Sequence, residues 1–165
     1  MATSIKSQLK VADEAWIVTL LLHREHPESA DFSIEEIVER ARRENLQGSL
    51  RPGLYVHVVQ HCVANRPPNS ARYRMLFETG AGRRRLFRIG DTYHPEREGS
   101  KITPEAGDLP DGYSGLLRWY QEWCRTAAKS ASNRDAILSL SGSGKELWAD
   151  EHADDYIRRL REGWE

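Results

Sequence analysis

Apolar residues recur at helical spacing along the first part of the chain and predict three helices. The first is predicted over residues 8–24, where a broad apolar stripe runs through the segment. The second begins at Ser33, because Ser33 followed by Glu36 has the spacing of a capping box. The third is predicted over residues 52–64, since Pro52 suits the first helical position, where its missing N–H costs nothing.

Two β-rich segments follow the third helix. Residues 72–77 and 84–88 are predicted strands, and the glycines at 80 and 82 supply the permissive backbone of a hairpin turn. Three helices followed by a hairpin is the order of a winged helix-turn-helix. A fourth helix is predicted over residues 113–127. The predicted fold class is therefore α+β and mainly helical, a winged helix-turn-helix with a C-terminal helical extension and a flexible tail.

The pattern also divides the chain into three parts. We predict a winged-helix domain with a C-terminal packing helix over residues 8–127, a linker over 128–134 and a partner-binding tail over 135–165. No stretch approaches the roughly 18 uninterrupted apolar residues that a membrane-spanning helix needs. The two cysteines are too few for a disulfide framework or a zinc cluster. We therefore expect a cytoplasmic protein with no membrane contact.

Charge is unevenly distributed, although the formal net charge is only −1. Residues 65–90 contain seven arginines and one acid, Glu78. Residues 135–165 contain eight acids and four bases. A positive segment and a mildly negative end favour two different partners.

The positive segment and the helix before it carry the candidate DNA-binding residues. Glutamine amides and imidazoles on a helix can contact base edges in the major groove, and arginines at a hairpin contact phosphates. An ordinary surface helix face and a solvated arginine run stay open as alternatives. The candidates are His57, Gln60, His61, Arg72, Arg74, Arg83, Arg84 and Arg85.

Residues 13–91 resemble the HARE-HTH winged-helix family. The similarity rests on Ala15-Trp16 in the first helix, on residues 32–40 (Phe-Ser-Ile-Glu-Glu-Ile-Val-Glu-Arg) in the second, and on the hairpin at 72–88. The resemblance implies DNA binding. The insert at residues 66–71 departs from a tight wing.

No candidate group assembles into a catalytic site, and we expect no enzyme activity, metal or cofactor. His57 and His61 have the spacing of a zinc-protease pair, but Val58 stands where that motif needs glutamate. The run at residues 142–145 (Gly-Ser-Gly-Lys) resembles a phosphate loop, but Ser139 and Glu146 stand at two of its required positions.

The tail has apolar anchors separated by polar and glycine-rich joints, too few and too spread to fold by themselves. Such a segment suits a partner's groove. Residues 136–148 and 154–164, with the Gly-Ser-Gly-Lys hinge and an Asp-Tyr-Ile-Arg-Arg-Leu-Arg run, closely resemble the C-terminal end of VapB-type antitoxins.

That resemblance implies binding to a PIN-domain ribonuclease toxin, with a basic side chain reaching the toxin's acidic metal site. The candidate toxin-binding residues are Leu138, Leu140, Lys145, Leu147, Trp148, Tyr156, Ile157, Arg158, Arg159, Leu160, Arg161 and Trp164.

The resulting hypothesis is an antitoxin-like regulator with DNA and a toxin as partners, and a homodimer stays open. The alternative is a non-catalytic protein-interaction winged helix whose tail packs on its own domain.

Overall fold

The computed structural model describes residues 8–139. Within them the protein is α+β, with four α-helices and a small three-stranded antiparallel sheet, and about half of these residues are helical. Two compact units divide the chain, residues 1–122 and residues 123–165. The first unit contains the sheet and the core. Only residues 123–139 of the second unit are described, and they belong to the last helix.

Helix α1, Val11–Glu25, is the centre of the core. The sequence predicts a broad apolar stripe, but every residue from Ala12 to His23 is buried. Several of its buried polar side chains lie next to a partner, although the Trp16 indole N–H and the Asp13 carboxylate oxygens have no hydrogen-bond partner among the described residues. Glu14 pairs with Arg51, Asp13 lies 3.6 Å from the Lys101 ammonium, and the Thr19 hydroxyl donates to the Ala15 carbonyl at 2.8 Å. A helix buried on all sides must satisfy its polar groups inside the protein.

Strand β1 (Phe32–Ser33) leads directly into helix α2 (Ile34–Glu44). The predicted capping box is confirmed: the Ser33 side chain accepts from the Glu36 amide at 3.1 Å, and the Glu36 carboxylate accepts from the Ser33 amide at 2.6 Å. The helix ends at Asn45, whose left-handed backbone (φ 52°) is a conformation that asparagine tolerates.

Helix α3 is short, Gly53–Val56, and continues as a π-helical segment over His57–His61. The predicted helix over 52–64 is therefore three residues too long at its end, and its last half has wider turns than an α-helix. The carbonyls at this end are held by Arg97, which is completely buried. Its guanidinium donates to the carbonyls of Gln60 (2.9 Å) and His61 (2.8 Å).

The predicted hairpin is confirmed with shifted ends. Strands β2 (Leu76–Gly80) and β3 (Arg83–Leu86) pair antiparallel, and Gly82 has φ +67° in the turn. The first strand starts four residues later than expected because residues 73–75 hydrogen-bond to Cys62, His61 and Lys101 instead.

The sheet has the order β1-β3-β2, so the two-residue β1 occupies one edge. Along the other edge, the Asn65 side-chain amide bonds both the amide and the carbonyl of Glu78, at 2.9 Å each. Neither edge therefore offers a long free strand to another chain.

A long segment with two short 3₁₀ turns, Pro95–Arg97 and Ala106–Asp108, leads to helix α4, Leu116–Ser139. Tyr120 in the first part of α4 packs edge-on against Trp16, with ring centroids 5.6 Å apart, and donates to the Phe87 carbonyl. The predicted end of this helix at 127 is wrong, since α4 continues to Ser139 through the residues assigned to the linker at 128–134. Apart from the end of α4, the predicted tail lies outside the described residues.

No helix in residues 8–139 combines the length and the apolar character that crossing a membrane requires.

Candidate nucleic-acid interface

The three polar candidates on the helix lie together on one side of the segment Gly53–His61. The rings of His57 and His61 are 4.9 Å apart, and Tyr73 lies 6.3 Å from His57. His57 Nδ1 lies 2.9 Å from the Gly53 carbonyl oxygen, which can only accept, so this nitrogen carries a proton. Burial lowers the pKa of His57, and its neighbour His61 lowers it further. His57 is therefore held as a neutral, half-buried ring.

Gln60 is also engaged within the chain. Its side-chain amide donates to the Pro67 carbonyl at 2.5 Å, and its oxygen lies 3.5 Å from an Arg66 nitrogen. All three polar candidates are half-buried. A contact of His57 or Gln60 with a base edge would require these internal hydrogen bonds to be exchanged.

Arg72 is the candidate arginine most available to a partner. It is exposed, and it forms no ion pair with any residue that the structure describes. Its neighbour Arg74 is half-buried instead: the guanidinium lies over the Tyr93 ring at 4.3 Å and donates to the Ser100 carbonyl at 3.3 Å.

Two hairpin arginines are neutralised by aspartates from outside the hairpin. Arg83 donates to the Asp31 carboxylate at 2.6 and 2.8 Å. Arg85 forms a two-bond pair with Asp91 (2.6 and 2.9 Å) and lies 4.4 Å above the Phe77 ring. The Arg85–Asp91 pair is bidentate, which holds that guanidinium in one orientation.

Arg84 is a correction to the predicted DNA-binding set. It is 1% exposed, and its guanidinium donates to the carbonyls of Val58 (3.1 Å) and Val59 (3.3 Å), with Glu78 3.4 Å away. Burial lowers its pKa. The residue fastens β3 to the π-helical segment and has no surface from which to contact DNA. Three consecutive arginines on a strand alternate in direction, so the middle one faces the core.

The outward face of Gly53–His61 belongs to two apolar side chains, Tyr55 and Val56, of which the helical spacing assigns only Tyr55 to the core. Tyr55 is predicted to pack inward but is 55% exposed, and Val56 is 45% exposed. Leu54 and Val58 fill the inward positions. The polar side chains and the most exposed side chains therefore lie on different sides of this helical segment. A pattern with a period of 3.6 residues does not predict this, because the segment changes from α-helical to π-helical turns.

Arg97 is a further residue that the sequence pattern did not identify. Besides Gln60 and His61, its guanidinium donates to the carbonyls of Arg66 (2.7 Å), Tyr73 (2.6 Å) and Pro67 (3.4 Å). No carboxylate among the described residues pairs with it. Nothing in the sequence distinguishes Arg97 from the other charged residues of its proline-rich segment.

Within residues 8–139 no group of three or more His, Cys, Asp or Glu side chains is placed to hold a metal ion. Cys62 is completely buried, and burial raises the pKa of its thiol. Of the predicted toxin-binding residues only Leu138 lies in the described part of the chain, where it is 68% exposed on α4. The other eleven lie outside it.

Comparison with known proteins adds no relative: no protein-family model, no curated protein and no solved structure matches this chain.

Proposed function

We propose that the chain is an antitoxin-like regulator in which a winged-helix domain binds DNA and a C-terminal segment neutralises a PIN-domain ribonuclease toxin. The observation that carries the first half is the element order. Helix α1, strand β1, helices α2 and α3, and strands β2 and β3 follow one another, with the sheet order β1-β3-β2. This is the order of a winged helix, in which the third helix enters the major groove.

Support for the second half is the resemblance of residues 136–164 to VapB-type antitoxins. Chain segments with apolar anchors and flexible joints bind partners by ordering along a groove. Their basic residues would meet the acidic metal site of the toxin. The four candidates are Lys145, Arg158, Arg159 and Arg161.

Arg72 offers the sharpest test of DNA binding, because it is exposed and unpaired among the described residues. We expect the affinity of the full chain for duplex DNA to fall steeply as salt rises, since each phosphate contact releases counterions. Arg72→Ala should reduce the slope of log K against log salt by about one. Arg118→Ala, which removes an exposed arginine from α4, is the matched control and should leave the slope unchanged. The measurement is fluorescence anisotropy at several salt concentrations.

The toxin half is tested by co-expression with a PIN-domain protein encoded beside the chain. The full chain should form a stable complex and abolish ribonuclease activity, and a chain ending at Ser130 should do neither. Single alanine variants of the four basic candidates should separate formation of the complex from inhibition of the ribonuclease. The variant whose side chain reaches the acidic site should still form the complex but leave residual ribonuclease activity. Identical behaviour of the full and shortened chains would exclude the toxin hypothesis.

A second candidate is a winged helix that binds protein instead of DNA. The specific observation in its favour is the engagement of the hairpin arginines: Arg84 is buried, and Arg83 and Arg85 are paired with aspartates. A hairpin so neutralised offers little positive charge to phosphates. Absence of DNA binding by the folded protein at low salt would favour this candidate over the regulator.

A further inference from the structure

The exposed face of the segment Gly53–His61 is apolar at its beginning. Tyr55 and Val56 are the third and fourth residues of this segment, and both have about half of their surface in solvent. Single exposed apolar residues are normal on protein surfaces. Tyr55 and Val56, however, are adjacent and lie at the start of the helix that is proposed to enter the major groove. The first residues of such a helix lie nearest the base edges, so this pair is placed for a specific contact.

One exposed arginine near this face, Arg72, favours a polyanion. From Asn45 to Phe77 the chain has no aspartate or glutamate and has four arginines, Arg51, Arg66, Arg72 and Arg74. Arg51 and Arg66 pair with acids from outside this stretch, and Arg72 is exposed. The Tyr73 ring next to Arg72 lies 6.3 Å from the His57 ring, so this arginine is close to the same helical segment.

Two of the three polar candidates are less available for a base contact than the apolar pair. His57 and Gln60 use their side chains on carbonyls of their own chain, whereas Tyr55 and Val56 face outward. The C5-methyl group of thymine is the apolar group that base edges present in the major groove.

We infer that Tyr55 and Val56 contact thymine methyl groups, so that the protein prefers A·T base pairs where the start of α3 meets DNA. This inference rests on the proposed DNA binding and names the feature of DNA that the same surface recognises.

Replacement of thymine by uracil isolates the methyl group, because the two bases pair identically and differ only there. The probes are two duplexes of about 20 alternating A·T or A·U pairs, measured by anisotropy with the full chain. Loss of one buried methyl contact should weaken binding about fourfold, from the transfer free energy of one such group. Val56→Ala and Tyr55→Ser should each reduce the difference between the two duplexes.

Two control variants separate this contact from other effects. Ile89→Ser removes the most exposed large apolar side chain that the structure describes and should preserve the thymine preference. Arg72→Ala should weaken binding to both duplexes by the same factor. Circular dichroism checks that each variant is folded. We expect the variants of Tyr55 and Val56 to fold, because both side chains are exposed.

Equal affinity of the wild-type chain for the thymine and uracil duplexes would overturn the inference while DNA binding stands. No binding to either duplex at low salt would instead refute the proposed function, and the inference with it. Self-association of the chain that Val56→Ser abolishes, without any change in DNA affinity, would assign the patch to a protein contact and also overturn the inference.

Discussion

Arg84 and Arg97, the two most deeply buried arginines among the described residues, are satisfied mainly by backbone carbonyls. Arg84 donates to carbonyls of the π-helical segment, and Arg97 donates to five carbonyls at distances of 2.6–3.4 Å. Burial lowers the pKa of both guanidinium groups. Among the carbonyls that Arg97 contacts, those of Arg66 and Tyr73 accept from no other group in the described residues, so the guanidinium satisfies the irregular backbone there as well as its own donors.

Substitution of Arg97 tests this role. Arg97→Met keeps most of the side-chain volume but removes the donor of the Arg66 and Tyr73 carbonyls, each at a cost of about 1–3 kcal/mol. We expect the free energy of unfolding to fall by about 3 kcal/mol or more, measured by urea denaturation. Arg118→Met, at an exposed position, should change it by less than about 0.5 kcal/mol. Similar losses in the two variants would mean that the carbonyl contacts contribute little.

His23 makes the stability depend on pH. Burial, followed by repulsion from Arg88 and Arg85, lowers its pKa in the folded protein from 6.5 to about 3. Between these values the unfolded chain binds a proton that the folded protein does not. The free energy of unfolding therefore falls as pH falls from about 6.5 towards 3, by up to ~1.4 kcal/mol per pH unit.

His23→Gln should flatten this dependence, because glutamine does not titrate and still offers an acceptor near the Leu86 amide, which lies 3.3 Å from His23 Nε2. His26→Gln, at an exposed position, should retain it. The measurement is thermal unfolding from pH 4 to pH 7. If stability falls with pH equally in the wild type and in His23→Gln, His23 is not the source of the pH dependence.

At the scale of elements, the start and end of α2 are determined by neighbouring residues in the sequence, whereas the bounds of α3 and β1 are not. Ser33 and Glu36 satisfy each other's backbone amides, so neighbours in sequence determine where the helix begins. Strand β1 has only two residues and exists because Phe32 and Ser33 pair with Arg84 and Arg83, about fifty positions away. Such a strand has no sequence signature of its own.

Ser33→Ala should therefore lower the free energy of unfolding by about 1 kcal/mol, the usual effect of removing an N-cap hydroxyl. Ser49→Ala, the same substitution at an exposed residue outside any helix, should have an effect below about 0.5 kcal/mol. Chemical denaturation of both variants is the measurement. A cost at Ser33 no greater than that at Ser49 would show that Glu36 and solvent replace the cap.

At the scale of the whole molecule, folding brings acids from elsewhere in the chain to the positive segment of residues 65–90. The seven arginines of residues 65–90 face one acid within that stretch. In the folded protein Asp31 and Asp91 come to Arg83 and Arg85, while Glu78 lies beside Arg66 and Arg84. The surface available to phosphates is therefore smaller than the composition indicates.

Release of one of these arginines should increase affinity for DNA. Asp31→Asn removes the carboxylate that holds Arg83, so we expect tighter binding to duplex DNA and a salt slope steeper by up to about one. Glu28→Gln changes the net charge equally at an exposed site and should have a smaller effect, because general electrostatic attraction is screened. Equal changes in the two variants would indicate that net charge, and not Arg83, is responsible.

The sequence by itself determined the α+β class, the start of α2 at Ser33 and the existence of the hairpin around Gly82, because each depends on local periodicity, capping or turn geometry. Only the tertiary structure decided which charged and apolar side chains are available to a partner. Arg84 and Arg97 are buried, Arg83 and Arg85 are paired, and Tyr55 is exposed against expectation. Availability depends on groups brought together from distant parts of the chain, and residue spacing does not encode which carboxylate or carbonyl will lie within hydrogen-bonding distance.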